Sequence, residues 1–433
     1  MPSLKKALPL ILAAALALPS LALAAGPSRA QSSPVIISIG SLFTPMERRA
    51  LTANVAEYSF KVRVGFGPYD EIGLHRVVKE SAPNVPVRAS RAVFLAHGDI
   101  WSFRAAFLTG AKTLPVFLAE QGLDVWGIDF RWTSVPAGVT NLAFMKKWGI
   151  EQDARDLGTG IAAARFVRAL TGSGYGKVFL LGWSRGGQIG YAYLNAESQI
   201  PQAQQQVRGF IPVDIYLKTD VPQLRAAACQ RQQATEAMIA AGSYAATSGG
   251  LIATLGTLAA TNPGGVSILD PNLTNRQAGL LVGEATFALL GGLEPAPFYH
   301  FTGGTFDAQG RPAGLLYSNE ADLFTFEQRA SPFQPNRELA DADKITCDQM
   351  DVAFDDHLDD ITLPVLYVGA GGGFGELGIY TTTLLGSTDV TTLVIHKVPA
   401  AQRIADYGHA DLFLANDAQA LVWQPILNWL RTH

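Results

Sequence analysis

The residues best suited to chemistry in this chain of 433 residues stand in one short run, Leu180-Leu181-Gly182-Trp183-Ser184-Arg185-Gly186-Gly187. The spacing is Gly-x-Ser-x-Gly, with an apolar, strand-like stretch before it and a helical pattern after it, the setting this motif requires. A serine placed there sits on a strained turn at positive φ. Side chains two positions to either side would collide with the neighbouring strand or helix, and glycines at 182 and 186 avoid this. A serine hydroxyl is a weak nucleophile at neutral pH and needs a base to take its proton as it attacks. Histidine, with a pKa of about 6.5, suits that task.

The chain has seven histidines. His433 is terminal, His75 lies in an opening hairpin, and His97 precedes the serine at the end of its own strand. His300 and His357 fall in a long central segment, and His396 lies inside the last strand. His409, in Asp406-Tyr407-Gly408-His409-Ala410-Asp411, comes just after the last strand and before the last helix. That loop is at the C-terminal edge of a parallel sheet, where ligands bind in open α/β folds, and His409 is therefore the expected base.

The elements that must position these residues can be read from periodicity. Residues 58–64 alternate apolar and polar, 65–73 carry turn chemistry, and 74–78 resume the extended pattern, which predicts an antiparallel hairpin. Residues 92–96 are a continuous apolar run, as in a strand buried on both faces. A helix kinked near Pro115 is expected over 104–121, then a strand over 123–130, a helix over 151–170, a strand over 177–182, a helix over 186–197 and a strand over 207–215. Strict alternation of this kind means βαβ units with right-handed crossovers. It stops over 217–361, a stretch rich in Ala, Gly, Gln and Thr with several helix-like runs. It then resumes with strands over 364–369 and 390–398 and an amphipathic helix over 411–430. The expected organisation is a leader at 1–25, a core of 26–216 and 362–433, and a cap of 217–361 inserted between the sixth and seventh strands.

On the elbow around Ser184 and on Gly408-His409, the sequence resembles the α/β-hydrolase superfamily, and the resemblance runs from the first hairpin to the last helix, excluding the cap. It implies an α/β-hydrolase fold, a mostly parallel sheet flanked by helices, with Ser184 as nucleophile and His409 as base. His97-Gly98-Asp99 is similar to the family's His-Gly-x segment, which gives a backbone N–H to an oxyanion hole. By that match the hole is formed by the N–H groups of Asp99, or its neighbour Ile100, and Arg185. Such donors face the charge developing on the carbonyl oxygen and contribute about 3 kcal/mol each; the Asp99 carboxylate must point away. For the acid behind the histidine, the family's usual position makes Glu376, after the run Gly371-Gly372-Gly373, the first choice. Asp214, at the end of its strand, is the alternative used by some members, and Asp389 is a third.

These residues imply a carboxylic ester hydrolase working through an acyl-enzyme. Amides, thioesters, carbonates and lactones use the same machinery, as does acyl transfer to an alcohol. A haloalkane dehalogenase or epoxide hydrolase is disfavoured, because those members carry Asp where this chain has Ser184. A reading of another class is a binding protein that keeps the fold without catalysis. A large cap implies an enclosed pocket and a small to medium, largely apolar ester.

Composition sets outer bounds. The formal net charge is −4 and 48% of residues are hydrophobic, with no runs of Lys or Arg, so nothing favours nucleic acid or an anionic lipid surface as partner. Lys5 and Lys6 precede an apolar run ending in Ala22-Leu23-Ala24, which reads as a secretory signal peptide cleaved near Ala24 and predicts a secreted or periplasmic protein. A membrane anchor is the alternative, and no later segment is both apolar and long enough to span. Two cysteines occur, Cys229 and Cys347. In an exported chain an isolated pair most simply forms one disulfide, and two buried thiols are the other reading. A disulfide there would tie the base of the cap and contribute on the order of 4 kcal/mol. The cluster Asp351, Asp355, Asp356, His357, Asp359 and Asp360 does not follow a calcium-loop spacing and reads as a solvated acidic turn, so neither metal nor cofactor is expected.

Overall fold

The computed structural model describes residues 46–289, 296 and 298–433; the expected leader and the linker after it lie outside these residues. The alternating segments form β2 (Val55–Arg63) and β3 (Glu71–Ala82), antiparallel with Tyr58 opposite Arg76. β1 (Glu47–Ala50) pairs antiparallel with β2, and the short β4 (Val85–Pro86) pairs with the end of β3. The apolar runs form β5 (Ala92–Ala96), β6 (Asp124–Asp129), β7 (Val178–Trp183) and β8 (Val207–Val213). Two small antiparallel ribbons follow, β9 (Ala245–Ala246) with β12 (Gln334–Pro335) and β10 (Gly304–Phe306) with β11 (Pro312–Leu315). β13 (Val365–Ala370) and β14 (Val390–Ile395) complete the main sheet.

The main sheet runs β1-β2-β3-β6-β5-β7-β8-β13-β14. The pairs from β6 to β14 are all parallel, and β3 joins β6 antiparallel. From β5 the chain goes first to β6 on one side and then crosses to β7 on the other. The C-terminal ends of β5 and β7 are therefore the point where strand order reverses, the place where ligands bind in open α/β sheets.

The two-residue period of the strands feeds two apolar layers. Val93 and Leu95 of β5 pack on the side of helices Phe103–Phe107, Leu114–Glu120 and Gln424–Thr432. Phe94 and Ala96 pack on the side of helices Ile150–Leu170 and Arg185–Ser198. The chain has the α/β-hydrolase architecture expected of it, a mostly parallel sheet with helices on both faces.

Three details differ from expectation. The single kinked helix over 104–121 is two helices, because Gly110 turns at φ 99° between them. Pro115 then lies in the first turn of the second helix, where its missing N–H costs nothing. The final helix is interrupted: Asp411–Leu414 is followed by a break and a wide turn before Gln424–Thr432. The interruption of the strand–helix alternation falls between β8 and β13, after the eighth strand in chain order and not the sixth, since β1 and β4 had no anticipated counterpart.

This intervening segment carries helices Pro222–Ala240, Ser248–Thr261, Asn275–Glu284, Glu320–Gln328 and Asn336–Cys347. Cys229 and Cys347 are disulfide-bonded, with Cα atoms 4.7 Å apart, and join the first of these helices to the last. Among the described residues no helix is long and apolar enough to cross a membrane.

Candidate active site

Ser184 links β7 to helix Arg185–Ser198 and has φ 55° and ψ −129°. Its own N–H donates to Val213 O at 2.9 Å, which ties the turn to the end of β8. The flanking glycines are required by contact. A Cβ on Gly182 would lie 2.4 Å from Gly186 O, and one on Gly186 would lie 2.3 Å from Ala96 O. The elbow is thus pressed against the end of β5, and strain at a non-glycine positive φ persists because the surroundings fix it.

The residue after β8 is Asp214, also at positive φ, 46°, and wholly buried. Its carboxylate is cradled by the loop after β13: Oδ1 accepts from Ala370 N at 2.8 Å and Gly375 N at 2.9 Å, and Oδ2 from Phe374 N at 3.1 Å. Oδ2 also lies 2.6 Å from Nδ1 of His409. The glycine run that precedes Glu376 is what lets this loop close on Asp214, for a Cβ on Gly373 would fall 1.9 Å from Asp214 Oδ2.

Glu376, the first choice from the sequence, is not placed at His409. It begins helix Leu377–Thr383 with an exposed side chain, bonded to His396 Nε2 at 2.6 Å and Arg403 Nη2 at 3.0 Å. Asp389 faces His433 instead. The reason is steric as well as electrostatic: a loop that surrounds one carboxylate with three backbone N–H groups has turned its own acidic side chain outward.

His409 is buried, and its position is set by the intervening segment as well as by the sheet. Its N–H donates to His300 O at 2.9 Å, and Ala410 N donates to Phe301 O at 2.7 Å. Asp411 accepts from Gly408 N, Gly303 N and Ser318 Oγ. Burial pushes the Asp411 carboxyl up to about 7, with those hydrogen bonds acting in the opposite direction. The His409 ring stacks on Trp183, the chain neighbour of Ser184, with centroids 4.8 Å apart. Tyr299 at 5.1 Å, Phe374 at 5.6 Å and Phe301 at 6.2 Å complete an aromatic surround. Trp101 and Phe326 stack beside Phe301. A surface cleft of about 350 Å³ lined by Tyr69, Arg131, Phe144 and Trp148 contains none of these residues.

His97 is buried, and burial lowers its pKa. Phe130 N donates to Nε2, which leaves Nδ1–H to donate to Gly98 O at 2.9 Å. The following loop meets the serine directly, since a Cβ on Gly98 would lie 2.7 Å from Ser184 Cβ. The Asp99 carboxylate is taken up by the Arg185 guanidinium, at 2.9 and 3.0 Å. Arg185 opens its helix, so its backbone N–H is among those a helix cannot satisfy internally. Ile100, the other possible donor, has its N–H occupied by Gln334 Oε1 at 2.7 Å. That contact, and the bonds from residues 300–301, had no counterpart in the sequence reading: nothing local marks a glutamine 234 positions, or a histidine 109 positions, from its partner in the fold. Among the described residues there is no group of His, Cys, Asp and Glu arranged to hold a metal ion.

No family model matches the chain, and no curated protein matches it. Solved structures do. One from Sulfolobus solfataricus, carrying a provisional lipase assignment, superposes with a TM-score of 0.59 at 18% identity, over 90% of this chain and 99% of that one. A thermophilic esterase from Thermogutta terrifontis matches at 0.45 and 16% identity, over 86% and 97%. A soluble variant of the monoglyceride lipase from Saccharomyces cerevisiae matches at 0.45 and 14% identity, over 93% and 99%. The chain has the α/β-hydrolase fold, and the first of these structures is the one that carries the assignment.

Proposed function

We propose that the protein is a serine hydrolase that cleaves carboxylic esters through an acyl-enzyme. The observation that carries this reading is the 2.6 Å bond from Asp214 Oδ2 to His409 Nδ1 at the sheet edge where the strained Ser184 is presented. Held at Nδ1, His409 has Nε2 for proton transfer. It takes the proton of the Ser184 hydroxyl as Oγ attacks the ester carbonyl and gives it to the departing alkoxide. Asp214, satisfied by three backbone N–H groups, fixes the tautomer and stabilises the imidazolium without accepting the proton. The N–H groups of Asp99 and Arg185 face the tetrahedral oxyanion. Water activated by the same histidine then releases the acid.

The aromatic surround of His409 supports a largely apolar ester of small or medium size, with the segment over 217–361 serving as its cap. The disulfide supports an oxidising, extracytoplasmic location, in keeping with the leader read at 1–25. N-terminal sequencing of the mature protein tests that location, and an intact Met1 in the exported or membrane fraction counts against a cleaved leader.

The activity is tested by exposing wild type and Ser184→Ala to a fluorophosphonate probe and to nitrophenyl esters of increasing acyl length. The expected result is labelling and turnover in the wild type alone. A wild type that neither labels nor turns over any ester, although folded, sinks the reading.

A further inference from the structure

The loop after β5 is hydrogen-bonded to the intervening segment at Ile100. Ile100 has φ 54°, a conformation disfavoured for a β-branched side chain. Both of its backbone polar groups are taken by residues more than two hundred positions later in the chain: its N–H donates to Gln334 Oε1 at 2.7 Å, and its carbonyl accepts from Ser331 N at 2.6 Å. Gln334 is itself immobilised. It pairs with Ala246 in the β9–β12 ribbon, is almost fully buried, and donates from Nε2 to Glu338 Oε2 at 2.6 Å. Glu338 is also buried, with its other oxygen 3.8 Å from Arg185 Nε. Arg185 holds Asp99 through the two bonds already described. The chain of contacts closes on itself: Ile100, Gln334, Glu338, Arg185, Asp99 and back to Ile100. It contains the two residues whose backbone N–H groups face the oxyanion in the proposed reaction.

We propose that Gln334 is a positioning residue for the oxyanion hole, holding the Asp99–Ile100 peptide in its strained orientation from the intervening segment, with Glu338 fixing the glutamine amide. The proposal rests on the serine hydrolase reading. Burial and the carboxylates of Asp153 and Asp99 push the Glu338 carboxyl well above its usual range, and its Oε2 accepts from the Gln334 amide at 2.6 Å. With Gln334 Nε2 spent on Glu338, Oε1 is the atom turned to Ile100. Without that acceptor, Ile100 loses the bond that offsets its strain and relaxes toward negative φ. The Asp99–Ile100 peptide then turns, and the adjoining Gly98–Asp99 peptide, which carries the Asp99 N–H, turns with it away from the developing charge. Because the hole acts on the transition state more than on the bound ester, the loss falls on kcat and not on KM.

The test compares Gln334→Met, which keeps the volume and removes both bonds, and Gln334→Asn, which is too short to span Ile100 and Glu338. Glu338→Leu and Glu338→Gln complete the set. Active sites are first counted with the fluorophosphonate probe, and kcat, KM and the affinity for a boronic acid analogue of the tetrahedral state are then measured per labelled site. The expected result for both Gln334 variants is a kcat lower by about 10- to 100-fold with KM little changed, and boronate affinity lower by a similar factor. Glu338→Leu is expected to behave in the same way, and Glu338→Gln, which keeps an acceptor, to recover most of what Glu338→Leu loses.

If Gln334 merely stabilises the fold, the variants lose melting temperature and labelled fraction while kcat per site and boronate affinity stay within about threefold of wild type. That outcome overturns the proposal. Should neither Gln334 variant yield labelled protein, Glu338→Leu decides by the same criterion. A wild type without ester turnover or labelling removes the serine hydrolase reading and this inference with it, a result distinct from an active wild type matched by its variants.

Discussion

The carboxylate of Asp214 lies 2.6 Å from the His409 ring although the two residues are 195 positions apart, and it also accepts hydrogen bonds from three backbone N–H groups. An acceptor satisfied in this way holds its orientation without help from solvent. Replacing it by Asn offers the histidine a rotatable amide that can present either a donor or an acceptor. We expect Asp214→Asn to lower kcat by about 1,000-fold or more. Glu376→Gln, at an exposed ion pair away from the histidine, is expected to stay within about twofold. Steady-state kinetics on nitrophenyl esters separates the two, and a selective loss in Glu376→Gln would restore that residue as the acid.

The cradle makes its own prediction. A methyl group at Gly373 would fall 1.9 Å from Asp214 Oδ2, so Gly373→Ala must displace either the carboxylate or the loop. We expect kcat to fall by about 100-fold, since a shift near 1 Å in a catalytic array costs that much. Gly138→Ala, where nothing lies within 4 Å of the added carbon, serves as the control and is expected to be silent. Comparable losses in both would remove the geometric argument.

The disulfide is tested by the paired substitution of Cys229 and Cys347 by Ser. Because the bridge joins the first and last helices of the intervening segment, its loss frees that segment's base in the unfolded ensemble. We expect a destabilisation of about 2–5 kcal/mol, read by chemical denaturation. Unchanged stability would mean that the packing between these helices holds them without the covalent link.

An alkaline effect is expected from His75. Burial works against its charged form, but Asp129 and Glu57 on either side outweigh it and raise the pKa from 6.5 to about 9. The folded value lies above the unfolded one, so the stabilisation is complete below 6.5 and is lost as pH rises through about 9, a contribution on the order of 3 kcal/mol. Wild type should therefore lose more melting temperature between pH 7 and pH 10 than His75→Gln does. Parallel curves for the two proteins would exclude His75 as the titrating group.

The parts of the site legible in the sequence were those whose signal is local. Val178–Trp183 is apolar throughout because it is buried on both faces, and the glycines around Ser184 stand at fixed offsets because two backbones meet there. His409 could be reached by elimination because histidines are few. The carboxylate bonded to it could not: Asp214 follows β8 and Glu376 follows the neighbouring β13, and the choice between them depends on which way a glycine-rich loop closes. The break in the helix expected over 104–121 turned on Gly110 adopting φ 99°, which composition does not announce. Gln334 and Ser331 gave no signal at all, since their partner is a main-chain amide and carbonyl of Ile100.

The bonds from residues 300–303 to the His409 loop restrict how substrate can enter. His300 O, Phe301 O and Gly303 N are all engaged by residues 409–411, and His300 N donates to Gly372 O in the loop around Asp214. A lid swinging open as one rigid flap would either break these bonds, at about 1 kcal/mol apiece, or drag the His409 loop away from Ser184. In the proposed reaction the stretch beside the histidine is then a fixed jamb, and a doorway through the segment would have to be cut elsewhere.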